Sequence, residues 1–292
     1  MYPISRILVP VDFSDRCEQT IPYATLFAAK YNAEIVLLHV VNPVYSIPAA
    51  GGFGPLLVPL PETVIEGLGK RLESFAAGSL RGMNVKRLVY EGDPAEQVSE
   101  FAQGGNVQLI VMPTHGSGIV RRLLLGSVSA KILHDVPCPV LTSHHATPSA
   151  EAAPKTITHI LCAIDLRAPS QSILAEASRT AVDLGAALSV VHVISPLHPH
   201  LTEELAKRYR REVEAQARTQ LAALMAASPE TTQSVTADTY VQEGEVVSTI
   251  SSLAQSLRAD LLVIGRGRDE KGRLKPTGYA IIREAPCAVL SV

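Results

Sequence analysis

Two small-residue stations in "VMPTHGSGIVRRLLLGSVSAKILHDVPCPVLTS", residues 111–143, hold the chemistry this chain offers most openly. The first is Pro113-Thr114-His115-Gly116, after an apolar run, and the second is Gly126-Ser127, at the start of a helical pattern. A glycine after a strand lets backbone N–H groups approach a ligand. A Gly-Ser pair at a helix start presents open N–H donors, a hydroxyl and the positive end of the helix dipole. Together they suit a di- or triphosphate. Arg121 and Arg122 lie between the stations, where a guanidinium could meet a terminal phosphate. Asp12, after "RILVPV", is placed to accept hydrogen bonds from ribose hydroxyls or an adenine amine, with Val11 and Val40 as apolar flanks for the base.

Plainer readings stand beside these. Asp12 and Asp165 also suit helix caps, since Asp is a favoured N-cap residue. His39 and His192 occupy the same place in an apolar strand and read as satisfied strand-end histidines rather than catalytic ones. His115 suits either a turn or a ligand contact. His144-His145 and His198-Pro199-His200 have no acidic or cysteine companions, so no metal site is expected. Ser127 has no base at triad spacing, which argues against a nucleophile. Cys17, Cys138, Cys162 and Cys287 form no CxxC pair and read as free buried thiols in a reducing compartment.

The elements that must position these residues occur twice. Residues 6–43, "RILVPVDFSDRCEQTIPYATLFAAKYNAEIVLLHVVNP", lie without a gap on residues 159–196, "HILCAIDLRAPSQSILAEASRTAVDLGAALSVVHVISP". Later landmarks also repeat in order, ending with "DVPCPVLTS" and "EAPCAVLSV". The Ala-, Pro-, Ser- and Thr-rich stretch 144–156 separates the copies, giving a first domain over 1–145, a linker over 146–156 and a second domain over 157–292.

In the first copy the patterns predict strands at 6–11, 34–41, 85–90, 108–112 and 138–143. Helices are predicted at 15–31, 61–81, 94–104 and from Gly126 to about residue 135. Strands apolar throughout and separated by helices imply an α/β fold, here two tandem Rossmann-like, doubly wound domains with five-stranded parallel sheets. Ligands bind such sheets at the carboxyl ends of the strands, near the topological switch point. The Pro- and Gly-rich stretch 42–62 follows the second strand at that end and reads as a lid.

Composition narrows the function classes. With 292 residues, 47% hydrophobic and 18% charged, the chain suits two compact domains, and a net charge of −2 gives no electrostatic case for nucleic acid. No apolar run approaches the roughly 18 residues of a membrane span, and the N-terminus lacks a secretory pattern, so a soluble, cytoplasmic protein is expected. No GxGxxG follows a strand into a helix, which disfavours a dinucleotide oxidoreductase, and "PVDFSD" is neither of the phosphate motifs of nucleotidyl transfer.

The "ILVPVDFS" opening, the "LLHVV" second strand, the Gly116 and Gly126-Ser127 stations nine residues apart and the "GSVSAKILHDVPCPVL" ending together resemble the universal stress protein family, in its tandem two-domain form. In the nucleotide-binding branch a further glycine precedes these stations, and Pro113 stands in its place here. The resemblance implies ATP, with or without Mg2+, in the first domain. Pro10, Val11, Asp12 and Val40 would contact adenosine; Met112, Pro113, His115, Gly116, Gly126, Ser127, Val128 and Ser129 would contact ribose and phosphates. It also implies pairing of the two domains within the chain through their final strands, and leaves room for a homodimer and a protein partner. No residue set reads as built for turnover, so weak hydrolysis is the most expected of it. In the second domain one count puts Arg268 at the second glycine and Lys275-Pro276 at the Gly-Ser pair, and another puts Gly278-Tyr279 there. Both break the grip, so one nucleotide domain and one degenerate partner are expected. The alternative is an interaction module in which both sites are vestigial.

Overall fold

The structure is a computed structural model and describes residues 4–42, 60–115, 125–143, 156–196, 203–227, 237–267 and 275–292. Two compact units divide the chain at Val140 and Leu141. In the first repeat the strands are β1 (Arg6–Pro10), β2 (Glu34–Val41), β3 (Val85–Glu91), β4 (Leu109–Pro113) and β5 (Val140–Ser143). The helices are α1 (Asp15–Glu18), α2 (Ile21–Tyr31), α3 (Glu62–Ser74), α4 (Pro94–Gly104) and α5 (Ser127–Asp135). The strand order is β3-β2-β1-β4-β5, with β1 parallel to β2 and β4, and β2 parallel to β3. Ile7, Leu8, Val9, Leu109, Ile110 and Val111 are all fully buried, as strands covered on both faces must be.

The second repeat follows the same plan. It comprises β6 (His159–Ala163), α6 (Ser170–Leu184), β7 (Ala187–Ile194), α7 (Glu203–Ala226), β8 (Ala237–Glu243), α8 (Val246–Ser256), β9 (Leu261–Ile264), α9 (Pro276–Glu284) and β10 (Ala288–Ser291). Its order is β10-β9-β6-β7-β8, which is the first repeat's order read from the other side. Its pairings of β10 with β9, β9 with β6, β6 with β7 and β7 with β8 are all parallel.

Two helices differ from the pattern-based expectation. The helix predicted over 15–31 is broken at Gln19-Thr20, because Pro22 has no N–H for the carbonyl one turn back, while the Thr20 hydroxyl donates to Cys17 O at 2.7 Å. The helix predicted over 61–81 stops at Ser74. There Phe75 turns to an extended conformation and packs its ring edge-on to Phe13, with centroids 5.9 Å apart.

Candidate nucleotide site

The switch point of the first repeat lies between β1 and β4, since β2 and β3 continue the sheet on one side and β5 on the other. The pairing of Leu8 with Ile110 brings the two strand ends side by side. Past β1, Val11 is 4% exposed; its N–H donates to Leu38 O at 2.8 Å, and its carbonyl accepts from His39 Nδ1 at 2.7 Å. Asp12 Oδ1 accepts both the backbone N–H of Ser14, at 3.0 Å, and its hydroxyl, at 2.6 Å. Ser14 Oγ in turn accepts from Cys17 N at 3.2 Å and caps α1. Ser14 is therefore the cap, and Asp12 orders the turn that leads into it. Pro10 ends β1 with its carbonyl accepting from Cys17 Sγ, and Val40 is half-buried on β2.

Between Asp12 and Ser14 sits a strained residue. Phe13 has φ 59°, a left-handed conformation that costs a bulky side chain about 1–3 kcal/mol and survives only where neighbours enforce it. Here the His39 ring lies 4.5 Å from its centroid, Phe75 meets it edge-on, and the Arg71 guanidinium stands 4.2 Å over its face. Aromatic pairs at roughly 0.5–1.5 kcal/mol each and an exposed cation–π contact at roughly 0.5–1 kcal/mol are together of the size needed to offset that strain.

On β4 the chain runs through Met112, 2% exposed, and buried Pro113 to Thr114 and His115, which are 4% and 7% exposed. Two hydrogen bonds latch α5 to this strand end: Gly126 N–H donates to Thr114 O at 3.0 Å, and the Ser129 hydroxyl donates to Pro113 O at 3.2 Å. The first amides of α5, from Ser127, Val128 and Ser129, have no carbonyl one turn back, and Gly126 offers no side-chain cap. Ser127 and Val128 are exposed. Gly126 itself has φ −61° and ψ 146°, ordinary for any residue, and a Cβ there would meet only normal contacts at 3.5 Å and beyond. The glycine is therefore not required by conformation, and it adds no side chain over the first turn of α5. His115 Nδ1 lies 3.0 Å from the Thr114 hydroxyl. Burial, with the positive charge of Arg16 adding to it, holds the His115 pKa below the usual value of 6.5.

The second repeat keeps the frame of this site and fills it. Asp165 Oδ1 accepts from Arg167 N at 3.1 Å and the Ser170 hydroxyl at 3.3 Å, and His192 Nδ1 meets Ile164 O at 3.0 Å, as His39 meets Val11. Strand register fixes the correspondence: Ile7 pairs with Leu109 as Ile160 pairs with Leu261, so Pro113 matches Gly265. Helix α5 begins 14 residues after Pro113 (127 − 113), whereas α9 begins 11 after Gly265 (276 − 265). A loop three residues shorter is why the two sequence counts disagree. The count back from Pro286-Cys287 is the structural one: Lys275 caps α9 with φ −62° and ψ 148°, and its N–H donates to Gly267 O at 2.8 Å, a latch one residue further along the strand end than that of Gly126. Pro276 then removes the first amide of the helix, and the Lys275 side chain packs over Gly267. A Cβ at Gly265 would meet the end of the Ile173 side chain, which would have to shift to admit it.

Of the predicted site residues, Pro10, Val11, Asp12, Val40, Met112, Pro113, His115, Gly126, Ser127, Val128 and Ser129 lie at the carboxyl ends of β1, β2 and β4 or in the first turn of α5. Gly116, Arg121, Arg122, the histidine pairs and residues 43–59 of the proposed lid lie outside the described residues. Sequence reasoning missed Ser14, Phe13 and Arg71. The Asp-x-Ser spacing could have found Ser14, but nothing local links Arg71 to residue 13.

The universal stress protein family matches residues 3–144 and again residues 156–292. A universal stress protein of Methanocaldococcus jannaschii, MJ0531, is 33% identical over 138 residues, covering 47% of this chain and 79% of its own. One from Mycolicibacterium smegmatis is 29% identical over 211 residues, covering 68% of this chain and 69% of its own. The crystal structure of a universal stress protein from Archaeoglobus fulgidus superposes with a TM-score of 0.64 at 20% identity, covering 98% of this chain and 95% of that one. That likeness speaks to the Rossmann-like α/β fold. With the family matched once in each half, the chain belongs to the universal stress protein family as a tandem two-domain member.

Proposed function

We propose that the first repeat binds one adenine nucleotide, ATP before others, and that the chain is a stress-response regulator acting through nucleotide-dependent conformation or partner binding. The observation that carries this reading is the placement of the Asp12 turn and the β4 end on adjacent parallel strands, with the first turn of α5 latched to the β4 end by the Gly126–Thr114 and Ser129–Pro113 bonds. Pro10, Val11, Asp12 and Val40 take the adenosine. The ribose and phosphates fall to Met112, Pro113, His115, Gly116 and the α5 residues Gly126, Ser127, Val128 and Ser129. Val11, Met112 and Pro113 are buried and act mainly through their backbone edges, and Ser129 acts through its amide because its hydroxyl is engaged. Any Mg2+ arrives with the phosphates. No hydrolysis is assigned.

The second reading, an interaction module, suits the second repeat, where Pro276 removes the first helix amide and the Lys275 side chain packs over Gly267. Mass spectrometry of nucleotide released from denatured, purified protein separates the two. One equivalent per chain is expected; none favours an interaction module throughout, and two overturn the degenerate reading of the second repeat.

A further inference from the structure

The left-handed turn at Phe13 recurs at Leu166, with φ 59° in both repeats, so each repeat must hold the same strained conformation by its own contacts. The ring clamp is a property of the first repeat, because Leu166 has nothing to stack. Its parts come from three residues on two elements: His39 on β2, tethered to Val11 O, and Arg71 and Phe75 on α3 and at its end. Among the described residues no carboxylate pairs with Arg71, so its charge is directed at the ring rather than at an acid. The clamped residue is bracketed by Asp12 and Ser14, whose two hydrogen bonds fix Asp12 Oδ1.

From this contrast we propose that Phe13 and Arg71 are positioning residues for the nucleoside end of the ligand site, locking the 11–14 turn and so the Asp12 carboxylate in one orientation. The proposal rests on the nucleotide reading of that site. A free Phe13 would let the turn sample ordinary negative-φ conformations, in which Asp12 and Ser14 no longer meet. A ligand that hydrogen-bonds the carboxylate would then have to restore the order on binding, and its affinity would fall by that cost. The phosphate end, held by α5, does not depend on the clamp.

The test uses the full chain with Phe13→Leu, the residue the second repeat carries at the same φ, and with Arg71→Ala and Arg71→Lys. Amide hydrogen exchange at Ser14, followed by NMR without ligand, reads the turn; calorimetric titration with adenosine, ATP and inorganic triphosphate reads the site. Phe13→Leu and Arg71→Ala should speed Ser14 exchange and weaken adenosine and ATP binding by about tenfold, the scale of one charged hydrogen bond. Triphosphate affinity should be unchanged, and Arg71→Lys, which keeps a cation over the ring, should restore most of the effect. An unaltered Ser14 amide, or an equal loss for triphosphate, overturns the clamp. Wild-type protein that binds neither adenosine nor ATP sinks the nucleotide reading and with it the ligand half of the proposal, a failure the Ser14 amide reports separately from that of the clamp.

Discussion

His115 shows how one residue's surroundings decide its part. In sequence it suits a turn or a ligand contact equally. In the fold it is 7% exposed, beside Thr114, with its pKa pulled down by burial and by Arg16. A folded-state pKa below the unfolded one means that, between about 6.5 and the lowered value, the unfolded chain takes up a proton that the folded chain refuses. Stability therefore falls as pH drops through that window and levels off below it. Replacing His115 with Asn removes the titrating group and should flatten this part of the pH dependence, seen as a smaller shift in urea midpoint between about pH 7 and pH 5. At neutral pH the imidazole is uncharged, so it would meet a ribose or phosphate oxygen as a hydrogen-bonding group and not as a cation.

At the scale of elements, the first turn of α5 and the first turn of α9 form an internal control. Both are capped in the same backbone conformation, and in both the cap amide donates to a carbonyl just past the preceding strand, yet one begins Gly126-Ser127 and the other Lys275-Pro276. Moving Lys-Pro into the first repeat, as the pair Gly126→Lys and Ser127→Pro, should leave the melting temperature nearly unchanged, because φ and ψ at the cap already suit any residue and proline is favoured at the first helical position. ATP affinity should drop by about tenfold or more from the lost amide and the covered surface, measured by calorimetry. Helix α4 carries a different kind of sensitivity. Asp93 caps it through the Glu96 amide at 3.0 Å, which holds the carboxyl below its usual range, and Lys131 on α5 bridges to Asp93 and Glu96. Asp93→Ala should cost about 0.5–2 kcal/mol in urea unfolding, the usual worth of such a cap.

For the whole molecule, the described residues include no helix long and apolar enough to cross a membrane, and all four cysteines are free. Burial raises the thiols of Cys17, Cys162 and Cys287 to about 12, so native protein should react with a thiol reagent far more slowly at neutral pH than protein unfolded in urea. Rapid stoichiometric labelling of the native chain would contradict that burial.

The duplication, the parallel α/β architecture and the strand positions were legible in the amino-acid order, because period and turn chemistry are local and a buried strand must be apolar on both faces. So was the position of Asp12, since strand-end residues follow from strand assignment. What the sequence left open was decided by contacts between residues far apart in the chain. Only register could show that the second loop is three residues shorter and that Lys275 stands where Gly126 does, since gaps in loops leave no periodic trace. Only packing could set Ile173 against Gly265 and bring Arg71 over a strained Phe13. Helices and strands are written in neighbouring residues, whereas a site at the carboxyl edge of a sheet is assembled from segments whose spacing depends on how the whole domain closes.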